Sequence, residues 1–253
     1  MDRRAEGVSG TVVRAGVDIA YCFRAGAGPV VVFLPGYRSD MAGTKALALD
    51  TWAASRDRAL LRLDYSGCGA SGGDFVVGTI SRWTADAAAV IAAVAPGPAV
   101  LVGSSMGAWI ALLLARAALH EAVVTIAGAP DFTDWGLALT TDERALLPRY
   151  SPSDIAASRP SQYGDPYRYT AGLIADGATQ RLLPGEIAVD CAVRLLHGQA
   201  DAEVPWRLSL DVAAALRSRD VQVTLVKDGD HRLSRPQDLV LLTATLDALP
   251  RGS

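Results

Sequence analysis

The sequence predicts an α/β fold: a mostly parallel central sheet with helices on both faces and a small helical cap. Three observations carry this expectation. Short β-branched runs alternate with Ala/Leu-rich segments along most of the 253 residues, as βαβ crossovers require. Several runs, such as Val30-Val31-Val32-Phe33-Leu34, are apolar throughout, which suits strands covered on both faces. Residues 130–187 contain no strand candidate and interrupt the rhythm.

In chain order, the strand candidates are residues 17–23, 30–34, 59–64, 99–103, 122–126, 193–197 and 221–226. The first strand or two could pair antiparallel at one edge of the sheet. Helical patterns fill the intervals at residues 44–55, 80–94, 106–118, 206–217 and 237–248. The excursion at 130–187 is punctuated by Pro148, Pro152, Pro160, Pro166 and Pro184, and it carries Trp135, Tyr150, Tyr163, Tyr167 and Tyr169. An excursion this long inside a compact domain is expected to be a lid or a small helical insertion. Its aromatics suit an apolar acyl group or an aromatic acid. With no internal repeat and no Ser/Gly linker, one domain over residues 1–253 is expected.

Composition narrows the function classes. Half of the residues are hydrophobic and a fifth are charged, which excludes a disordered chain. The net charge of −3 leaves no electrostatic footprint for nucleic acid. Cys22, Cys68 and Cys191 are too few for a disulfide scaffold and lack zinc-ligand spacing. Residues 1–10 combine Arg3 and Arg4 with Asp2 and Glu6, and no apolar run follows. Neither a signal peptide nor a transit peptide fits that pattern, so a cytoplasmic location is expected. The most apolar segment, residues 108–119, is interrupted by Arg116 and too short to span a bilayer.

The chemistry centres on Gly103-Ser104-Ser105-Met106-Gly107, a G-x-S-x-G between a strand and a helix. A nucleophile there sits on a sharply bent, strained backbone, and the flanking glycines give the room that bend needs. The helix beginning at Met106 aims its N–H groups and positive dipole end at the same point. Gly69-Ala70-Ser71-Gly72-Gly73 also satisfies the pattern, but it lies in a loop with no helix opening after it. The overlapping Gly67-Cys68-Gly69-Ala70-Ser71-Gly72 has the form of a dinucleotide-binding loop. It lacks the helix that must receive the pyrophosphate, which argues against a nucleotide-binding oxidoreductase. Gly43-Thr44-Lys45 has the wrong order for a phosphate-binding loop.

A serine nucleophile needs a base, and the base needs an orienting acid. His231 lies in a polar loop between the last strand and the last helix and is the expected base. His120 is expected at the surface, and His197, ending a strand, is expected to brace a turn. Asp201, on a turn after the penultimate strand, is the expected acid, with Glu203 two residues on as the alternative; Asp230 reads as a solvated loop charge. The chain order Ser105, Asp201, His231 is that of an α/β-hydrolase and not of chymotrypsin or subtilisin. An oxyanion hole needs two fixed N–H donors, expected from Met106 and from Tyr37 after Pro35-Gly36.

These residues resemble a known family. Leu34-Pro35-Gly36-Tyr37, Gly43-Thr44-Lys45-Ala46-Leu47-Ala48, Asp64-Tyr65-Ser66-Gly67 and Gly103-Ser104-Ser105-Met106-Gly107-Ala108-Trp109 come first. Arg194-Leu195-Leu196-His197-Gly198, Asp201 with Val204-Pro205-Trp206, and Asp230-His231-Arg232 complete the set. Together they look like the α/β-hydrolase family of the mitochondrial palmitoyl-protein thioesterase and acyl-glucuronide esterase. The resemblance covers about residues 30–246 and implies Ser105, Asp201 and His231 as a triad. The expected activity is hydrolysis of carboxylic esters or thioesters through an acyl-enzyme, on a small-molecule or acylated substrate, without metal or organic cofactor. A perhydrolase or lyase would keep the same residues, and a non-catalytic binding protein would normally have lost one of them. Acyl-chain length and oligomeric state stay open.

Overall fold

The computed structural model describes residues 7–161 and 164–250. Asp2, Arg3, Arg4, Glu6 and Tyr163 therefore lie outside the described residues.

The chain forms an eight-stranded sheet. Its strands are β1 (Val8–Arg14), β2 (Val17–Arg24), β3 (Ala27–Leu34), β4 (Arg58–Leu63), β5 (Val100–Ser104) and β6 (Ala122–Ile126). After a two-stranded ribbon of β7 (Ile155–Ser161) and β8 (Gly164–Thr170) come β9 (Ala192–Gly198) and β10 (Val221–Val226). The sheet order is β1-β2-β4-β3-β5-β6-β9-β10. From β4 onward every pairing is parallel, whereas β1 with β2 and β2 with β4 are antiparallel. The antiparallel edge is the one the sequence allows for.

The crossover helices are α1 (Thr44–Arg56), α2 (Ile80–Val94) and α3 (Met106–Ala117), followed in the cap by α4 (Phe132–Trp135), α5 (Thr141–Leu146) and α6 (Ala171–Thr179). Two more, α7 (Arg207–Ala215) and α8 (Pro236–Asp247), flank β10. Strand periodicity sorts the core into two layers. Val32 and Leu34 of β3 pack with Trp83 of α2, Trp109 of α3 and Leu208 of α7. Val31 and Phe33 point the other way, onto Leu49 and Trp52 of α1 and Leu242 of α8. Nine consecutive residues of α3, Met106–Leu114, are buried, so this part of the helix is wrapped on all sides, as its apolar sequence up to Leu114 demands.

The topology selects the site. The chain leaves β3 towards β4 and then returns across β3 to β5. Loops after β3 and β5 diverge at such a switch point, opening a crevice at the carboxyl ends of the strands.

The excursion at 130–187 differs from expectation. It includes the antiparallel ribbon β7–β8 beside its short helices. Pro160 and Pro166 argue against strands in sequence, yet a two-stranded ribbon consists only of edges, where a missing N–H is tolerated. A register shift between Arg159 and Ser161 accommodates Pro160. Asp131 closes the excursion at its base: with φ of 56°, it turns its carboxylate to accept N–H bonds from Leu182 (2.9 Å) and Leu183 (2.8 Å). Burial raises its pKa despite those donors.

Candidate active site

Ser105 sits between β5 and α3 with φ 53° and ψ −117°, a conformation costly for a residue with a Cβ. Hydrogen bonds hold it there. Its N–H donates to the Ile126 carbonyl at 2.9 Å, and its carbonyl accepts from Ala108 (3.0 Å) and Ala129 (3.1 Å). Both flanking glycines are dictated by close approach. A Cβ on Gly103 would lie 2.3 Å from the Gly107 carbonyl oxygen, and one on Gly107 would lie 2.1 Å from that of Leu34.

The structure brings Ser105, His231 and Asp201 into one hydrogen-bonded chain. The Ser105 hydroxyl lies 3.1 Å from His231 Nε2, and His231 Nδ1 lies 2.8 Å from Asp201 Oδ2. The tautomer that satisfies both contacts carries its hydrogen on Nδ1 and accepts from serine at Nε2. Asp201 and Glu203 are thereby told apart. Asp201 reaches Nδ1, whereas the Glu203 carboxylate faces Nε2 at 3.6 Å, the wrong side for an orienting acid.

The Asp201 side chain is fully enclosed. Burial alone would raise its pKa, but hydrogen bonds from His197 and His231, the pull of the His231 charge and the Val204 N–H outweigh it, holding the carboxyl below its usual range. Its Oδ1 accepts from the N–H groups of Glu203 and Val204, each at 2.9 Å. His197, completely buried, reaches Asp201 Oδ2 through Nε2 at 3.1 Å, and its Nδ1 lies 2.7 Å from Ser209 Oγ. It braces the turn, as the sequence suggests, and the turn it braces is the one bearing Asp201.

Tyr37 and Met106 both line the cavity that holds Ser105. Met106 is the first residue of α3, where the N–H has no intrahelical acceptor. A Cβ on Gly36 would lie 3.3 Å from Ser105 Cβ, so the loop after β3 packs closely against the serine. The cavity above Ser105 measures about 620 Å³, within the range of small-molecule sites. One wall is aromatic: Tyr37 stacks on Tyr169 (centroids 5.2 Å apart) and lies 6.0 Å from Phe132. Trp135 and Tyr167 also line it, while Tyr150 is exposed and is not among the lining residues. Arg38, Lys45 and Arg232 add cationic side chains to the lining; no motif in the sequence marks them, since Gly43-Thr44-Lys45 fits no phosphate-binding loop.

The other candidates lie elsewhere. His120 is half-buried and accepts a long bond from the Ala99 N–H at 3.4 Å. Asp230 is exposed and accepts from Leu233 N–H. Ser71 braces a loop, accepting from Ala20 N–H at 2.8 Å and donating to the Asp64 carbonyl at 2.7 Å. After the glycine loop at 67–72, the chain forms a 3₁₀ turn (Phe75–Val77) before α2 begins at Ile80, so that loop opens no helix. No helix among the described residues is long and apolar enough to cross a membrane.

A serine on a strained strand-to-helix turn at the switch point, facing a histidine and an aspartate after later strands, defines the α/β-hydrolase class. The chain belongs to the alpha/beta hydrolase family, whose family model matches residues 31–251. It is 38% identical over 238 residues to the Mus musculus protein named "Palmitoyl-protein thioesterase ABHD10, mitochondrial", covering 92% of this chain and 78% of that one. The solved structure of mouse alpha/beta hydrolase domain-containing protein 10 superposes with a TM-score of 0.85 at 35% identity, covering 96% and 98% of the two chains. A crystal structure from Agrobacterium vitis S4 gives a TM-score of 0.86 at 42% identity, with the same coverage of 96% and 98%.

The cytoplasmic expectation is corrected by these relatives, which are named mitochondrial in mouse, orangutan, human, cattle and rat. That expectation rested on the acids and the missing apolar run of residues 1–10, a pattern that does not decide a compartment.

Proposed function

We propose that the chain is a serine hydrolase of carboxylic esters and thioesters, with Ser105 as nucleophile. The observation that carries this reading is the hydrogen-bonded chain from Ser105 through His231 to Asp201 at a strained turn. His231 takes the serine proton as Oγ attacks the acyl carbonyl, and Asp201 holds the imidazole and stabilises its charged form. The Tyr37 and Met106 amides receive the developing oxyanion. His231 returns the proton to the leaving oxygen or sulfur, and a water activated by the same imidazole releases the acid. The aromatic wall favours an apolar acyl group, and the name of the curated relatives, palmitoyl-protein thioesterase, supports a long-chain thioester.

The test is steady-state hydrolysis by wild type and Ser105→Ala on short to long acyl chains, each as oxoester and as thioester. Loss of several orders of magnitude in turnover is expected in the variant. Activity surviving in Ser105→Ala would overturn the assignment. Serine-dependent turnover of short oxoesters alone would leave a carboxylesterase and remove the long-chain thioester.

A further inference from the structure

Glu203 has a place in the site that the hydrolytic steps leave unused. Its Oε2 lies 3.6 Å from His231 Nε2, the nitrogen that also meets Ser105 Oγ at 3.1 Å. Its other oxygen, Oε1, is buried and has no hydrogen-bond partner. The residue lines the cavity above Ser105, and its backbone is fixed by the bond from its own N–H to Asp201 Oδ1. Leaving a buried acceptor unsatisfied is costly, so an unpartnered carboxylate oxygen on a residue that lines a substrate cavity points to a donor that arrives with the ligand. Burial raises the Glu203 pKa, with the His231 charge acting against it; a hydrogen-bond donor at Oε1 would offset that burial.

The position identifies the part of the substrate concerned. His231 Nε2 hands its proton to the leaving atom, so a carboxylate beside Nε2 borders the leaving group and not the acyl chain. We infer that Glu203 is a specificity-determining residue whose Oε1 accepts a hydrogen bond from an N–H or O–H group close to the leaving sulfur or oxygen. The preferred substrates are then thioesters or esters of donor-bearing leaving groups, such as amide-containing thiols. The inference rests on the Ser105–His231 reading of the site.

The test uses two thioesters of one acyl chain, made with N-acetylcysteamine and with 2-mercaptoethyl acetate, in which an oxygen replaces the amide N–H. Thiol release is followed for wild type and Glu203→Met. Wild type should favour the amide thiol by roughly tenfold or more in kcat/KM, the worth of a hydrogen bond to a charged acceptor. In Glu203→Met the ratio should fall close to one. A wild-type ratio near one, or a ratio that survives in the variant, overturns the inference. Equal losses on both substrates with the ratio unchanged also overturn it, because Glu203 would then act only on the charge of His231. If Glu203→Met does not fold, Glu203→Gln keeps the shape with a neutral acceptor, and its ratio should fall between one and the wild-type value. Wild type silent towards both thioesters would overturn the hydrolase reading as well; turnover without discrimination overturns this inference alone.

Discussion

His197 reaches the same Asp201 oxygen, Oδ2, that faces His231: its Nε2 lies 3.1 Å away and the His231 Nδ1 2.8 Å away. The carboxylate is thus gripped from two sides, and its charged form is the one both imidazoles stabilise. Replacing His197 by leucine should strand Ser209 and loosen Asp201. The expected result is a fall in kcat of about tenfold with little change in KM, since nothing that holds the acyl group is removed. A variant losing KM alone would show that His197 serves binding instead.

The low Asp201 pKa also fixes a stability window. An unfolded aspartate titrates near 3.9, and the folded one titrates lower, so between the two values the unfolded chain binds more protons. Stability from Asp201 is therefore present above about pH 4 and is lost as pH falls through the folded value. Urea unfolding of wild type and Asp201→Asn should show a gap that is widest near neutrality and narrows below pH 4. A gap constant down to pH 2.5 would mean that folding does not shift this carboxyl.

Gly107 supplies a steric prediction. A methyl group there meets the Leu34 oxygen at 2.1 Å and the Pro35 oxygen at 2.6 Å, both backbone atoms leading into the Gly36-Tyr37 loop. Gly107→Ala should cost about 1–3 kcal/mol in urea unfolding and lower turnover by displacing the Tyr37 amide. Gly185→Ala, with nothing within 4 Å of its added carbon, should stay within about 0.5 kcal/mol of wild type. Equal stability of the two variants would mean that the β3 loop yields freely.

What could be read from the sequence divides along physical lines. The inner strands were legible because parallel strands covered on both faces must be apolar without interruption, as Val30–Leu34 shows. Ser105, Asp201 and His231 were legible because each follows a recognisable strand and their order matches one known arrangement. β1 was not: Val8 and Val13 are largely exposed, so this edge strand carries no burial signal. The β7–β8 ribbon was hidden by Pro160 and Pro166. The cationic part of the cavity lining carried no sequence signal, because Lys45 of α1 and Arg232 before α8 lie far apart in the chain and meet only in the fold.

Tyr37 ties the loop after β3 to the cap. Its hydroxyl donates to the Arg168 carbonyl of β8, and the neighbouring Arg38 donates to the Pro166 carbonyl at 3.1 Å. Tyr37→Phe keeps the ring stacking and the amide but removes one of these two links. It should cost about 1 kcal/mol of stability and several-fold in kcat/KM on long acyl chains, with little effect on acetyl substrates. An equal loss at every chain length would place the effect in the amide alone and sever it from the cap.

Lys45 gives the cavity a charge that titrates within the working range. Burial, aided by repulsion from Arg232, lowers its pKa to about 8 against the pull of Asp230 and Asp238. Its Nζ donates to the Arg232 carbonyl at 2.6 Å, beside His231. Because the folded value lies below the unfolded one of about 10.4, its charge weakens the fold below pH 8, and that penalty fades as pH rises towards 10.4. Binding runs the other way. An acyl chain ending in a carboxylate is attracted while Lys45 is charged, so its KM should rise several-fold between pH 7 and pH 9 relative to a neutral chain of equal length. Lys45→Arg, charged across that range, should flatten the difference. KM values for the two acyl chains that move in parallel in wild type would show that the Lys45 charge does not reach the bound acyl group.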